Sequence, residues 1–149
     1  MRNILFLCTG NSARSIMAEA YMNHAGAGNW RAYSAGSKPT GKVNPFAIET
    51  LKALGIAPPP EEVRSKSWDE FTAADAAIMD AVVTVCDNAA GETCPLWPTQ
   101  NGRPPQKLHW SFPDPAAIEG SDAVKRAGFQ SIFADIRAQI DALIAQAPT

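Results

Sequence analysis

Short apolar runs alternate with stretches of helical spacing along this chain. Runs of apolar or β-branched residues predict strands at residues 4–8 and 81–86, and two shorter mixed segments predict strands at residues 29–36 and 107–110. Apolar residues at helical spacing predict helices that begin at about residues 12–15, 45, 67 and 121. Strands that alternate with helices are joined by right-handed crossovers, which build a parallel sheet with helices on both faces. The pattern therefore predicts an α/β fold.

The last helix and the third strand carry the clearest burial signals. The residues predicted to place this helix in the core are Val124, Ile132, Phe133, Ile136, Ile140, Leu143 and Ile144. The β-branched run at residues 81–86 is typical of a strand that is buried on both faces of a parallel sheet. His24 in the first helix and His109 in the fourth strand are interpreted as structural residues.

Composition limits the classes of partner. A chain of 149 residues with 46% hydrophobic residues is expected to form one domain spanning residues 1–149. A net charge of -2 provides no basic field for nucleic acid and no polybasic membrane anchor. The apolar run near the N-terminus is too short for a secretory signal, and no stretch is long enough to span a bilayer. We expect a cytoplasmic protein that binds small anions or other proteins.

The three cysteines argue against a static disulfide framework, because their number is odd and the expected compartment is reducing. None of them forms a Cys-x-x-Cys or Cys/His zinc spacing. We expect no metal and no cofactor.

The strongest chemical signal is the segment that joins the first strand to the first helix. Cys8 ends the strand, where open α/β sheets bind ligands, and five residues separate it from Arg14. This spacing lets the backbone curl once, so that its N–H groups and the helix N-terminus face a common centre. The same groups favour a thiolate at Cys8, and Arg14 can bind two oxygens of a tetrahedral anion. The alternative is a buried strand cysteine followed by a helix with a surface arginine.

We call residues 8–15 the oxyanion loop. Gly10 permits close backbone approach, Asn11 tolerates a left-handed conformation, and the Ser15 hydroxyl is a candidate hydrogen-bond donor to the thiolate. The predicted oxyanion-binding residues are Thr9, Gly10, Asn11, Ser12, Ala13, Arg14 and Ser15.

Two further features suggest chemistry. Cys86 ends the third strand, and Cys94 lies in the long loop at residues 87–105, so three thiols are present, the smallest set for a disulfide relay. On the residues alone, a buried Cys86 and an incidental loop thiol at Cys94 are equally acceptable. Asp114 before Pro115 can protonate a leaving oxygen, although an Asp-Pro pair by itself is more simply a turn.

The oxyanion loop resembles the signature of the low-molecular-weight protein tyrosine phosphatase superfamily. The rest of the chain resembles its thioredoxin-coupled arsenate reductase branch. The matching segments occur in the family's order, at residues 8–15, 33–36, 86–88, 94–95 and 109–115. The resemblance implies a three-layer α/β/α fold with a four-stranded parallel sheet of order 2-1-3-4.

The resemblance also implies roles for the site residues. Cys8 attacks arsenate, Arg14 binds the anion, and Asp114 acts as the acid. Cys86 and then Cys94 carry the disulfide outward to thioredoxin or another thiol reductant, while phosphate and sulfate compete as oxyanions. The chain has one residue more between Cys86 and Cys94 than the family members, which leaves the electron donor open.

A second departure concerns a potassium ion that some members bind beside the loop. The matching positions are Asn11, Glu19 and Ser34, but Lys66 stands where those members have Asp. We expect the Lys66 ammonium to replace the ion and to order Asn11, so that activity does not depend on potassium.

Two other functions compete with arsenate reduction. A low-molecular-weight protein tyrosine phosphatase needs only Cys8, Arg14 and Asp114, but such enzymes usually carry an aromatic residue just after Asp-Pro, where this chain has Ala116 and Ala117. A non-enzymatic thiol sensor uses a reactive Cys8 without an acid or a relay.

Overall fold

The computed structural model describes residues 2–56, 64–72, 76–85 and 105–146. The strands are β1 (Arg2–Leu7), β2 (Trp30–Ala35), β3 (Ala81–Thr84) and β4 (Gln106–His109). The α-helices are α1 (Arg14–Ala25), α2 (Pro45–Ala53) and α3 (Asp122–Gln146). Two short 3-10 helices occupy Trp68–Phe71 and Pro115–Ala117. All four predicted strands and the order of elements are confirmed within these residues.

The strands form a parallel sheet of order β2-β1-β3-β4, as expected. At the carboxyl end, Leu7 of β1 is in register with Ala35 of β2 and with Thr84 of β3. β3 ends at Thr84, so the predicted strand was too long by at least Val85, and residue 86 lies outside the described residues. The amide of Val85 still donates to the Leu7 carbonyl over 2.9 Å, which keeps the chain beside β1 as it leaves the sheet.

The central strand β1 separates two apolar clusters. Its alternation directs Ile4 and Phe6 into a large cluster with the three α-helices. Leu5 and Leu7 pack on the other face with Phe71 of the first 3-10 helix and with Met79. The sheet is therefore covered on both faces, which is consistent with three layers.

Helix α3 packs on the sheet through a continuous apolar stripe. Its buried residues are Phe129, Ile132, Phe133, Ile136 and Ile140, and Leu143 and Ile144 are partly buried against them. The prediction that Val124 is a core residue was wrong, since its side chain is 50% exposed. Val124 lies in the first turn and packs beside Gly120, ahead of the part of the helix that reaches the core. In the described part of the chain, no helix is both long enough and apolar enough to cross a membrane.

Candidate active site

Cys8 immediately follows the central strand at the carboxyl edge of the sheet. Its side chain is buried, with 5% of its surface exposed. Its amide donates to the Ala35 carbonyl over 3.2 Å, which extends the β1 to β2 pairing by one residue. The sheet therefore fixes the backbone from which the thiol projects.

The loop after Cys8 is braced from outside by residues 37–44, which we call the bracing segment. Amides of this segment donate to carbonyls of the oxyanion loop, from Lys38 to Thr9 at 3.0 Å, from Thr40 to Gly10 at 3.0 Å and from Asn44 to Ser12 at 2.8 Å. The hydroxyl of Ser65 also donates to the Gly10 carbonyl, over 3.1 Å. Three carbonyls of the loop are thus bonded to the surrounding chain.

This bracing sets the direction of the loop's amides. In a trans peptide the N–H points away from the C=O, so the amides of Gly10 and Ala13 face away from the bracing segment. The first intrahelical bond of α1 runs from Met17 to the Ala13 carbonyl over 2.9 Å. The amides of Arg14 and Ser15 consequently have no acceptor within the helix. The Asn11 amide instead donates to the Cys8 carbonyl over 3.2 Å. The amides of Gly10, Ala13, Arg14 and Ser15 are thus the ones arranged to bind an oxyanion, which stays a prediction.

Asn11 adopts the left-handed conformation that its residue type favours, with φ of 46°. Its side chain is fully buried, and its amide nitrogen donates to the Ser15 hydroxyl oxygen over 2.8 Å. Because this oxygen accepts a bond, the hydrogen of the Ser15 hydroxyl points to another acceptor. Donation from Ser15 to Cys8 stays a prediction.

Gly36 is a requirement of the site that sequence reasoning missed. A Cβ atom at this position would lie 2.3 Å from the Thr9 carbonyl oxygen and 2.5 Å from that of Cys8. Both are backbone atoms of the oxyanion loop, so any side chain here would displace the loop. The available signal was a glycine directly after the second strand.

Arg14 connects the loop to the segment that follows β4. Its Nη1 donates to the Phe112 carbonyl over 2.9 Å, and its Nη2 lies 3.9 Å from Oδ1 of Asp114. The Arg14 side chain is 14% exposed and that of Asp114 is 49% exposed. The structure thus brings the predicted acid beside the predicted anion-binding cation. No sequence signal pointed to the Phe112 carbonyl, because a backbone acceptor has no residue preference.

A buried ion pair lies behind the loop. The Lys66 ammonium is 3.5 Å from Oε1 of Glu19, 3.4 Å from the Ser34 hydroxyl and 3.1 Å from the Arg64 carbonyl. The Ser34 hydroxyl also donates to Glu19 over 2.6 Å. Burial lowers the pKa of Lys66 from its ordinary value, and the Glu19 carboxylate opposes that shift. The ammonium lies against Glu19 and Ser34, as expected.

The link from Lys66 to Asn11 differs from the expectation. The backbone amide of Lys66, rather than its ammonium, donates to Oδ1 of Asn11 over 2.8 Å. Position 66 therefore holds Asn11 through the main chain, while the ammonium neutralises Glu19. The expectation that the side chain itself orders Asn11 was wrong.

The remaining candidates are distributed as follows. Nδ1 of His109 is 2.7 Å from the Thr84 hydroxyl, and the exposed His24 ring lies 6.4 Å from that of Tyr21. Among the described residues, no group of three potential ligands that could hold a metal ion occurs. Cys86 and Cys94 lie outside the described residues.

Comparisons with known proteins place this geometry in context. The low molecular weight phosphotyrosine protein phosphatase family matches residues 3–148. The arsenate reductase of Halalkalibacterium halodurans is 37% identical over 92% of this chain and 91% of its own length. The arsenate reductase structure from Archaeoglobus fulgidus has a TM-score of 0.70 at 27% identity, covering 96% of this chain and 99% of that one. A thioredoxin-dependent arsenate reductase of Corynebacterium glutamicum has a TM-score of 0.66 at 26% identity, covering 96% of this chain and 60% of that one.

Proposed function

The chain belongs to the low molecular weight phosphotyrosine protein phosphatase family, and we propose that it reduces arsenate to arsenite. The observation that carries the proposal is the braced oxyanion loop, with buried Cys8 at its start and Arg14 at its end. A family scaffold of this kind is equally suited to phosphate and arsenate. The arsenate reductases among its relatives, matched over nearly the whole chain, favour arsenate.

In the proposed first step, the Cys8 thiolate attacks arsenic(V). A hydroxyl group leaves as water after it takes a proton from Asp114, and an S–As bond forms. Arg14 and the loop amides hold the remaining oxygens. The proposal is supported by the short separation of Arg14 and Asp114, which puts an acid near the anion without burying it.

In the proposed second step, the Cys86 thiolate attacks the sulfur of Cys8. The S–As bond breaks, its electron pair stays on arsenic, and arsenite leaves as As(III) while a Cys8–Cys86 disulfide forms. The pairing of Val85 with Leu7 supports this step, because the residues directly before Cys86 and Cys8 are hydrogen-bonded neighbours. Phosphorus(V) is not reduced by thiols, so bound phosphate acts only as a competitor.

In the proposed third step, Cys94 attacks Cys86 and releases the Cys8 thiolate. The resulting Cys86–Cys94 disulfide is then reduced by an external thiol, either thioredoxin or another donor. The thioredoxin-dependent relative from Corynebacterium glutamicum supports thioredoxin. A relay that needs free thiols at rest requires a reducing compartment, so we propose a cytoplasmic location.

The test combines turnover with trapping. Purified reduced protein is supplied with arsenate, thioredoxin, thioredoxin reductase and NADPH, and arsenite is measured over many turnovers. In the Cys94→Ser variant, mass spectrometry should detect a Cys8–Cys86 disulfide after one equivalent of arsenate. The Cys86→Ser variant is the matched control, in which that disulfide cannot form. Stoichiometric thiol oxidation without turnover would support a thiol sensor instead.

A tyrosine phosphatase activity is the second candidate, because Cys8, Arg14 and Asp114 are the complete set that the family's hydrolysis requires. Hydrolysis of an aryl phosphate, measured on the same preparation, separates the two. We expect a higher kcat/KM for arsenate than for the aryl ester. A kcat/KM that favours the aryl ester would contradict arsenate reduction as the main activity.

A further inference from the structure

The cations near the oxyanion loop differ in whether a carboxylate neutralises them. Lys66 is paired with Glu19, and Arg64 forms two bonds of 2.7 and 2.9 Å with Glu70. Arg14 has Asp114 within 3.9 Å. Each of these cations therefore has an acidic partner, which reduces the field it projects into solvent.

Lys38 and Lys42 are different. Both are exposed, and neither has a carboxylate partner in the part of the chain that the structure describes. We call their two side chains the basic rim. Within the described residues, the basic rim is a local excess of positive charge in a chain whose net charge is -2.

The main chain holds the basic rim close to the loop. The Lys38 amide donates to the Thr9 carbonyl over 3.0 Å. The Lys42 backbone is bonded in both directions to the Thr40 hydroxyl, at 2.9 and 3.3 Å, and the Thr40 amide donates to the Gly10 carbonyl. The Lys38 backbone is thus bonded directly to the oxyanion loop, and the Lys42 backbone lies two residues from Thr40, which is also bonded to it.

We propose that Lys38 and Lys42 attract doubly charged tetrahedral oxyanions towards the oxyanion loop and strengthen their binding there. The proposal rests on the proposed function for the identity of the substrate, but it applies to any dianion of this shape. Arsenate and phosphate have the same shape and nearly the same charge, so the basic rim strengthens both equally. Selectivity for arsenate then arises after binding, in the redox step.

The expected size follows from simple electrostatics. In water, a unit charge on the order of 10 Å from a dianion changes its binding about three-fold at ~10 mM ionic strength, and two such charges change it about eight-fold. At ~0.3 M ionic strength, screening reduces the combined effect to about 1.5-fold. A direct contact to the anion would be screened much less, so the salt dependence separates long-range attraction from contact.

The experiment compares wild type with Lys38→Gln, Lys42→Gln and the double variant at both ionic strengths. Calorimetry measures the dissociation constant of inorganic phosphate with the reduced protein, and steady-state assays measure kcat and kcat/KM for arsenate. The matched control is Lys52→Gln, which removes the same charge from the last turn of α2. Lys52 lies seven residues beyond Pro45, about 10 Å along the helix from its N-terminus.

At low ionic strength, we expect the double variant to lose about eight-fold in phosphate affinity and in arsenate kcat/KM, with kcat unchanged. The loss should nearly disappear at high ionic strength, and Lys52→Gln, whose charge lies further from the loop, should lose less phosphate affinity than either single lysine variant. An unchanged double variant, a loss that persists at high salt, or an equal loss in the control would overturn the proposal. If phosphate affinity falls as expected but no arsenite is formed, the basic rim stands and the proposed function fails.

Discussion

Two ion pairs flank the oxyanion loop, and they differ in burial and in closeness. Lys66 and Glu19 lie behind the loop with side chains 6% and 10% exposed, and both bond to Ser34. Arg14 and Asp114 lie at the front, 3.9 Å apart, with Asp114 49% exposed. The first pair is built into the core, whereas the second meets solvent.

The difference separates positioning from chemistry. A buried charge that loses its partner is strongly destabilising, so the rear pair holds the strand and helix around the loop in one arrangement. An exposed carboxylate contributes little to stability, and in the proposed mechanism Asp114 donates the proton. The rear pair can therefore be tested through stability and the front pair through activity.

The largest effect on activity is expected at Cys8, which begins the loop that the two ion pairs flank. Cys8→Ser should lower arsenite formation at least about 10⁴-fold, because an alcohol does not ionise here and cannot form the disulfide that reduces arsenic. Single-turnover arsenite release measures this loss. Phosphate binding should persist, since the loop amides and Arg14 remain. Arsenate conversion at the native rate in this variant would disprove the mechanism.

The next effect concerns the rear pair. Lys66→Met leaves the Glu19 carboxylate buried without its cation, and we expect the free energy of unfolding to fall by about 3–5 kcal/mol. Urea denaturation at neutral pH measures the change. The double variant Lys66→Met with Glu19→Gln removes both charges and should recover much of the loss.

The pair of Lys66 and Glu19 also allows a test of whether activity depends on potassium. Since an ammonium already neutralises Glu19, potassium in place of sodium should leave the turnover of the wild type unchanged. A several-fold activation by potassium would show that the Lys66 ammonium does not replace the ion.

A smaller effect is expected at the front pair. Asp114→Asn should lower kcat by about 10²-fold, because the leaving oxygen loses its proton donor. Phosphate affinity should not fall, since the substitution removes a negative charge 3.9 Å from Arg14. Glu119→Gln, an exposed acidic position five residues further along, is the control. A loss of phosphate affinity as large as the loss of kcat would assign Asp114 to binding instead.

The smallest effect is expected at a third ion pair, Arg64 and Glu70, which lies at the surface and serves as a reference for the other two. Arg64 lowers the pKa of Glu70 from its ordinary value of 4.5, but their side chains are 53% and 43% exposed. Glu70→Gln should therefore cost about 0.5 kcal/mol or less of unfolding free energy at pH 7. A carboxylate with a lowered pKa stabilises the fold above its ordinary pKa, and this contribution is lost as the pH falls through the lowered value. Urea denaturation should show a larger difference between variant and wild type at pH 7 than at pH 3.

The features of the fold and site that could be predicted from the sequence are those set by residues close together along the chain. The step from β1 through the oxyanion loop to α1 was visible in the spacing of Cys8 and Arg14, and the left-handed Asn11 followed from its residue type. The expectation for Val124 failed because helical spacing identifies a face but not how far along the helix the core extends. Local pattern is therefore informative about elements and weaker about burial near their ends.

The amino-acid sequence by itself determined the order of strands and helices, because that order follows from local periodicity. It also determined that a thiol and a guanidinium stand near the two ends of one short loop, because that depends only on spacing along the chain. Only the tertiary structure decided what braces that loop. The carbonyl of Phe112 lies 98 residues from Arg14, and the Lys66 amide lies 55 residues from Asn11. Main-chain donors and acceptors occur at almost every residue, so such bonds cannot be predicted from residue type. Which of them form depends on how the sheet and helices pack.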